Sequence, residues 1–180
     1  MRIENIRTAK GKSIYHNTSV LVMTLHLEEL ARKETHEVTG FMSQLLTMLP
    51  GINQHHCANG KTAGAAERKA ARIGFGHITA RVALELATLA GVPVHYASAL
   101  HPDGPEHCQI VIEFANEAAM RFLLQTAVEL VDALVKGDRL PLEARLAEAR
   151  ALSLNGGERT VTGATRRFAA RKGAERGATR

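Results

Sequence analysis

The sequence has no tryptophan and only 4% aromatic residues, which argues against a ligand site built from stacked rings. Phe41, Phe75, Phe114 and Phe122 recur on apolar faces and read as core instead. Cysteine is equally sparse. Cys57 and Cys108 are too few and too far apart for a disulfide framework, and a reducing compartment suits them better. No stretch approaches the ~20 uninterrupted apolar residues of a membrane-spanning helix. The opening MRIENIRTAKGK mixes charged with apolar residues and lacks the apolar block of a secretory signal. A cytoplasmic protein without membrane contact is expected. At 180 residues there is room for one domain with a substantial core, and too little for a multidomain ligase.

Charge of one sign is also missing from most of the chain. Residues 156–180 hold seven basic side chains and two acidic ones, which accounts for the whole formal charge of +5. Residues 1–155 are balanced, sixteen against sixteen. The expected organisation is one domain over residues 1–152 and a basic, flexible tail over 153–180. The tail is rich in Gly, Ala, Thr and Arg, and a solvated extension is the preferred reading. The alternative is a salt-sensitive grip on nucleic acid or another acidic partner.

What is present is a clear alternation of element types. Residues 2–8 and 20–27 (VLVMTLHL) read as strands around a turn-rich GKSIYHNTS. Phe41, Leu45 and Leu49 recur every four residues, one apolar helix stripe that Pro50-Gly51 stops. Residues 51–63 read as a loop, and a second helix is expected from about 64 to 90, interrupted near Gly74 and Gly76 and closed by Gly91. Strands at 92–99 and 107–115 flank HPDGP. Asn116 caps a helix over 117–136 with Phe122, Thr126, Val128 and Leu130 to Leu134 facing inward and Gly137 as its stop. A last helix starts at Pro141. The order ββααββαα predicts an α+β domain, a mostly antiparallel sheet covered by helices.

Chemistry concentrates in GFGHITARVALELATLAG, residues 74–91. On a helix, residues four apart point the same way, so two histidines at that spacing can close on one Zn²⁺ while an adjacent glutamate activates the metal's water. His77 stands at the first such position, but Ala80 replaces the glutamate and Arg81 the second histidine. Alanine cannot move a proton, and a guanidinium repels a cation. Gly60-Lys61-Thr62 lacks the glycine a phosphate loop requires, since His55 stands there. His95, His101 and His107 read as solvated or core-edge residues.

In order, VLVMTLHLEEL, LLTMLPG, HHC with its glycine-bearing loop, GFGHITARVALELATLAGVPV and QIVIEFANEAAMRFLLQTAVELVDAL resemble the N-terminal domain of cyanophycin synthetases, over about residues 1–150. In that family the domain precedes an ATP-grasp domain and a Mur-ligase-like domain, which build a polymer of aspartate with arginine side branches. Neither is carried here. The resemblance implies a platform that holds polymer and, in some members, a metal-dependent peptidase using a His-x-x-Glu-His helix, of which His77, Ala80 and Arg81 are a degenerate remnant. His55 and Cys57 align with a His-x-Cys stretch of the family, and Glu67 and Arg68 with a Glu-Arg pair.

His55, Cys57 and His77 are the candidate metal ligands, with zinc the ion their types suit; the competing reading is a small buried cysteine with surface histidines, so no cofactor is the preferred expectation. Arg81 reads first as the partner of Glu85, four residues on, in an exposed ion pair of about 0.3–0.5 kcal/mol. The sharper alternative has Arg81 and Arg68 meeting ligand carboxylates and Glu85 or Glu113 meeting guanidinium groups. The preferred function is a stand-alone, non-catalytic relative that binds a peptide polymer of aspartyl-arginine type or a partner ligase; a homo-oligomer is compatible with it. The alternatives are a metal-dependent peptidase with a rebuilt site, and nucleic-acid binding through the tail.

Overall fold

The computed structural model describes residues 1–10, 19–55 and 73–157. Strands β1 (Arg2–Lys10) and β2 (Ser19–His26) are followed by short 3₁₀ turns at Glu28–Arg32 and Thr35–Glu37, helix α1 (Phe41–Met48) and a third 3₁₀ turn at Pro50–Gln54. Then come α2 (Phe75–Ala90), β3 (Ala97–Leu100), β4 (His107–Glu113), α3 (Glu117–Lys136) and α4 (Leu142–Gly157). The α+β class and the order ββααββαα are those expected. The sheet order is β1-β2-β4-β3, and every pairing in it is antiparallel.

The alternation along the inner strands decides which face meets the helices. Leu21, Met23 and Leu25 of β2 and Cys108, Ile110 and Ile112 of β4 are fully buried, because residues two apart share one face of a strand. Across the register Leu21 meets Ile112, Met23 meets Ile110 and Leu25 meets Cys108. Phe41, Leu45 and Leu49 are likewise fully buried, as their four-residue spacing demands. Phe41 and Phe75 pack edge to face with ring centroids 5.3 Å apart, which locks the start of α1 to the start of α2. Each such side chain contributes about 1.5–3 kcal/mol by leaving water.

The helix ends follow from local chemistry. Asn116 Oδ1 accepts the Ala119 N–H at 2.9 Å, and its Nδ2 donates to the carbonyls of Leu152 and Ser153, so one cap also ties down the end region of α4. Gly91 closes α2 at φ 69°, where Gly91 and Val92 donate to the carbonyls of Thr88 and Ala87, a left-handed closure that favours glycine.

Three boundaries differ most from expectation. The second helix begins at Phe75, after an extended Gly74; residues 64–72 of the expected helix lie outside the described residues. The third strand starts at Ala97 instead of residue 92, because Val92 is used in the closure of α2 and Pro93 has no N–H for a ladder. Helix α4 runs to Gly157, five residues into the stretch assigned to the tail. No helix among the described residues is long and apolar enough to cross a membrane.

Candidate functional site

Among the described residues helix α2 is the most deeply embedded helix, with Ile78, Thr79, Ala80, Val82, Ala83, Leu86 and Ala87 almost wholly shielded. Against that background, three polar residues lie in one row at four-residue intervals: His77 and Arg81, both half-buried, and Glu85, buried at 5% exposure. The helix's three ionisable groups therefore share one face of a largely apolar helix, and each has a different environment.

Glu85 is fixed. Its Oε2 accepts from His55 Nε2 at 2.6 Å, and its carboxylate lies against Gly51, where any added Cβ would overlap Oε1. The turn Pro50–Gln54 brings the glycine over the carboxylate and then delivers His55 to it. This corrects the expected exposed Arg81–Glu85 pair. Glu85 turns inward to His55, and no Arg81–Glu85 contact is among the ion pairs of the described residues. The surface geometry that an i,i+4 pair requires is lost when one member is buried. From sequence Gly51 reads only as a helix stop; a glycine at the start of a polar loop carries no sequence signal that a carboxylate will lie on it.

Arg81 is the opposite case. Its Nε is buried and has no hydrogen-bond partner among the described residues. One turn earlier, burial, reinforced by the charges of His101 and Arg81, holds His77 below its ordinary pKa. A neutral imidazole beside a guanidinium is the consequence. The rings of His77 and His101 lie 5.7 Å apart, and His101 Nδ1 donates to the carbonyl of His107 at 3.0 Å. A shallow groove of about 340 Å³, lined in part by Leu27, Leu30, Phe75, His101 and Pro105, opens at this end of α2.

The backbone between these residues is also constrained. A Cβ on Gly76 would overlap Cys108 Sγ, so α2 approaches β4 closely, and the close approach needs glycine. Burial pushes the Cys108 thiol up to about 12, which makes it an inert core group. Neither Gly76 nor Cys108 was singled out as a pair from sequence, where they lie far apart.

The remaining predicted residues are distributed as follows. Ala80 is fully buried at the position of the motif's glutamate. Glu113 alternates with the core-facing Ile112 on β4, which directs it to the sheet face away from α2. It therefore does not join Arg81 and Glu85. Cys57, Arg68 and Glu67 lie outside the described residues, so the set of His55, Cys57 and His77 is represented by two members, of which His55 has Nε2 committed to Glu85. Among the described residues no group of three His, Cys, Asp or Glu side chains is placed to hold a metal ion. Ala80 supplies no base and Arg81 places a fixed positive charge beside His77, so these residues do not fit the hydrolytic zinc centre of the His-x-x-Glu-His type.

A four-stranded antiparallel sheet roofed by an embedded helix that carries this polar row defines the class, and sequence comparison identifies the family. Residues 22–136 match the cyanophycin synthase-like N-terminal domain. The chain is 36% identical to cyanophycin synthetases of Trichormus variabilis and of a Nostoc species, over 143 residues that make up 78% of this chain and 16% of each relative. It is 31% identical to a Synechocystis cyanophycin synthetase over 160 residues, 86% of this chain and 18% of the relative. This chain belongs to the cyanophycin synthase-like N-terminal domain family and spans about one sixth of the length of the curated relatives it matches.

Proposed function

We propose that this domain is a non-catalytic binding module for a peptide polymer of aspartyl-arginine type, the kind of ligand suggested by its relatives. The observation that carries the reading is the state of the α2 row. The motif's base position is a buried alanine, and its second histidine position is an arginine whose buried Nε has no partner among the described residues. Such a face is suited to holding an anionic group, and its motif position lacks the carboxylate that would activate water. The balanced charge of residues 1–155 suits a ligand bearing both signs. A partner ligase supplying ATP-dependent chemistry is the second binding partner that the family likeness supports.

The test is co-sedimentation with insoluble aspartyl-arginine polymer, run beside a hydrolysis assay with added zinc. Retention on the polymer without release of soluble fragments is expected. Failure to co-sediment at low and moderate salt, with folded protein, would remove polymer binding.

One contact favours a rival. A buried carboxylate holding a histidine through one ring nitrogen leaves the other nitrogen available, the arrangement that orients metal-ligating histidines. On that reading His55, with Cys57 and His77, would hold zinc, and a group other than Ala80 would act as base in a rebuilt peptidase. Metal content of tag-free protein decides it: one zinc per chain, lost in both Cys57→Ala and His77→Ala, supports the rival, and wild type that takes up no zinc from excess metal sinks it.

A further inference from the structure

Two histidines stand side by side on the sheet face turned away from the helices. His26 and His107 are cross-strand partners on β2 and β4. Their neighbours Leu25 and Cys108 point into the core, so alternation directs both imidazoles outward. The next pair along the ladder, Leu27 and Glu106, is joined by a main-chain hydrogen bond of 2.8 Å. Bonded and non-bonded pairs alternate in an antiparallel ladder, which leaves His26 and His107 at a non-bonded position, where side chains approach most closely. Their ring centroids are 5.0 Å apart. Two imidazoles that each place a nitrogen about 2.0–2.1 Å from one metal ion have ring centres about 4.5–5.2 Å apart, so the strands hold these rings at a chelating separation and only ring rotation is needed.

Both side chains are open to solvent, His26 at 26% and His107 at 36% exposure. His26 Nδ1 is closed to water, so Nε2 is the nitrogen it offers. His26 Nε2 faces Glu106 at 4.0 Å and His107 Nε2 faces Glu4 at 3.9 Å, both too long for a hydrogen bond. Those carboxylates meet Arg32 at 3.7 Å and Arg2 at 3.5 Å, so two negative charges are offset by two positive ones. Without an anionic surplus the cluster is a poor match for Mg²⁺ or Ca²⁺, whereas a neutral imidazole pair suits Cu²⁺, Ni²⁺ or Zn²⁺. No third His, Cys, Asp or Glu among the described residues shares one coordination sphere with them. Water therefore completes the shell, with Glu4 and Glu106 beside it as hydrogen-bond acceptors.

We propose that His26 and His107 form a two-histidine chelate for a divalent transition-metal ion, which clips β2 to β4 at one end of the sheet. The site is separate from His55, Cys57 and His77 and is independent of the polymer-binding reading.

The test titrates tag-free protein with Cu²⁺, followed by calorimetry and electron paramagnetic resonance. One saturable equivalent with the hyperfine pattern of two imidazole nitrogens is expected. His26→Asn and His107→Asn should each reduce the pattern to one nitrogen and weaken binding at least about tenfold, while His77→Ala leaves both unchanged. Equal affinity in wild type and His107→Asn overturns the proposal, and so does binding lost in His77→Ala but kept in His107→Asn, which would place the metal at α2. Several weak equivalents with no saturable first one would show scattered adsorption on surface histidines and overturn it too. A second measurement needs no variant: Zn²⁺ added to wild type should shift the His26 and His107 ring resonances together by one equivalent, and earlier shifts at other histidines, or an equal response to Mg²⁺, refute the chelate.

Discussion

The two ends of one helix face show how differently a protein can treat buried polar groups. At the C-terminal end of the row, Glu85 is almost fully buried and has a short contact to His55, with a glycine cleared of side chain to make room. Towards the N-terminal end, Arg81 has a buried nitrogen with no partner among the described residues, beside His77, whose charged form is disfavoured. A satisfied buried group stabilises the fold. An unsatisfied one costs about 1–3 kcal/mol and persists where something other than stability is selected. The first end contributes to the fold, and the second does not stabilise it through a hydrogen bond at that nitrogen.

The sharpest way to break this comparison is to remove each end in turn. Glu85→Ala leaves His55 without its acceptor and opens a void, and should cost about 2–3 kcal/mol in urea unfolding. Gly51→Ala drives a methyl into the same carboxylate and should cost about 1–3 kcal/mol. Arg81→Met keeps the volume while deleting the unsatisfied donor, so stability should stay within about 0.5 kcal/mol or rise by up to about 1 kcal/mol. A loss in Arg81→Met as large as that in Glu85→Ala would show that both ends are structural, and the distinction would collapse.

The effect of pH sharpens the same contrast. Because the folded state resists protonation of His77, the unfolded chain takes up a proton first as pH falls below the ordinary histidine value of about 6.5. Stability present near neutrality is therefore lost on acidification. In His77→Asn the fall in Tm between about pH 7 and pH 5 should be shallower than in wild type. In Arg81→Gln the His77 ring, followed by NMR, should titrate at higher pH. An unchanged His77 titration would show that the two groups do not feel each other.

Smaller effects test what lies around the row. Native protein carrying Cys57→Ser should resist alkylation at Cys108 at about pH 8 and become reactive only on unfolding, since burial raises that thiol to about 12. Rapid labelling of the folded state would contradict the close packing of Gly76 on Cys108. Deleting residues 158–180 should leave binding of the aspartyl-arginine polymer nearly unchanged. A large loss that tracks salt concentration would transfer the binding function from α2 to the basic tail.

Much of the fold was legible because it rests on short-range signals. The Phe41, Leu45, Leu49 stripe, the Asn116 cap and the closures at Gly91 and Gly137 each involve residues within a few positions of one another. Strand boundaries were less legible: Val92 to Val94 have strand composition, but the helix closure and Pro93 occupy them first. Within the site, His77, Ala80 and Arg81 could be read as a motif with two functional groups replaced. The pairing of Glu85 was misread, because i,i+4 spacing says where a side chain can reach and not whether that side of the helix faces water.

The sequence by itself determined the element order, the inward faces and the family, since periodicity, caps and motif order are written along the chain. Only the tertiary structure decided which polar residue of α2 is satisfied and which is open. That choice depends on Gly51 and His55 arriving from thirty or so residues away, and a contact between segments so far apart is set by how helices and sheet pack, which no local pattern encodes.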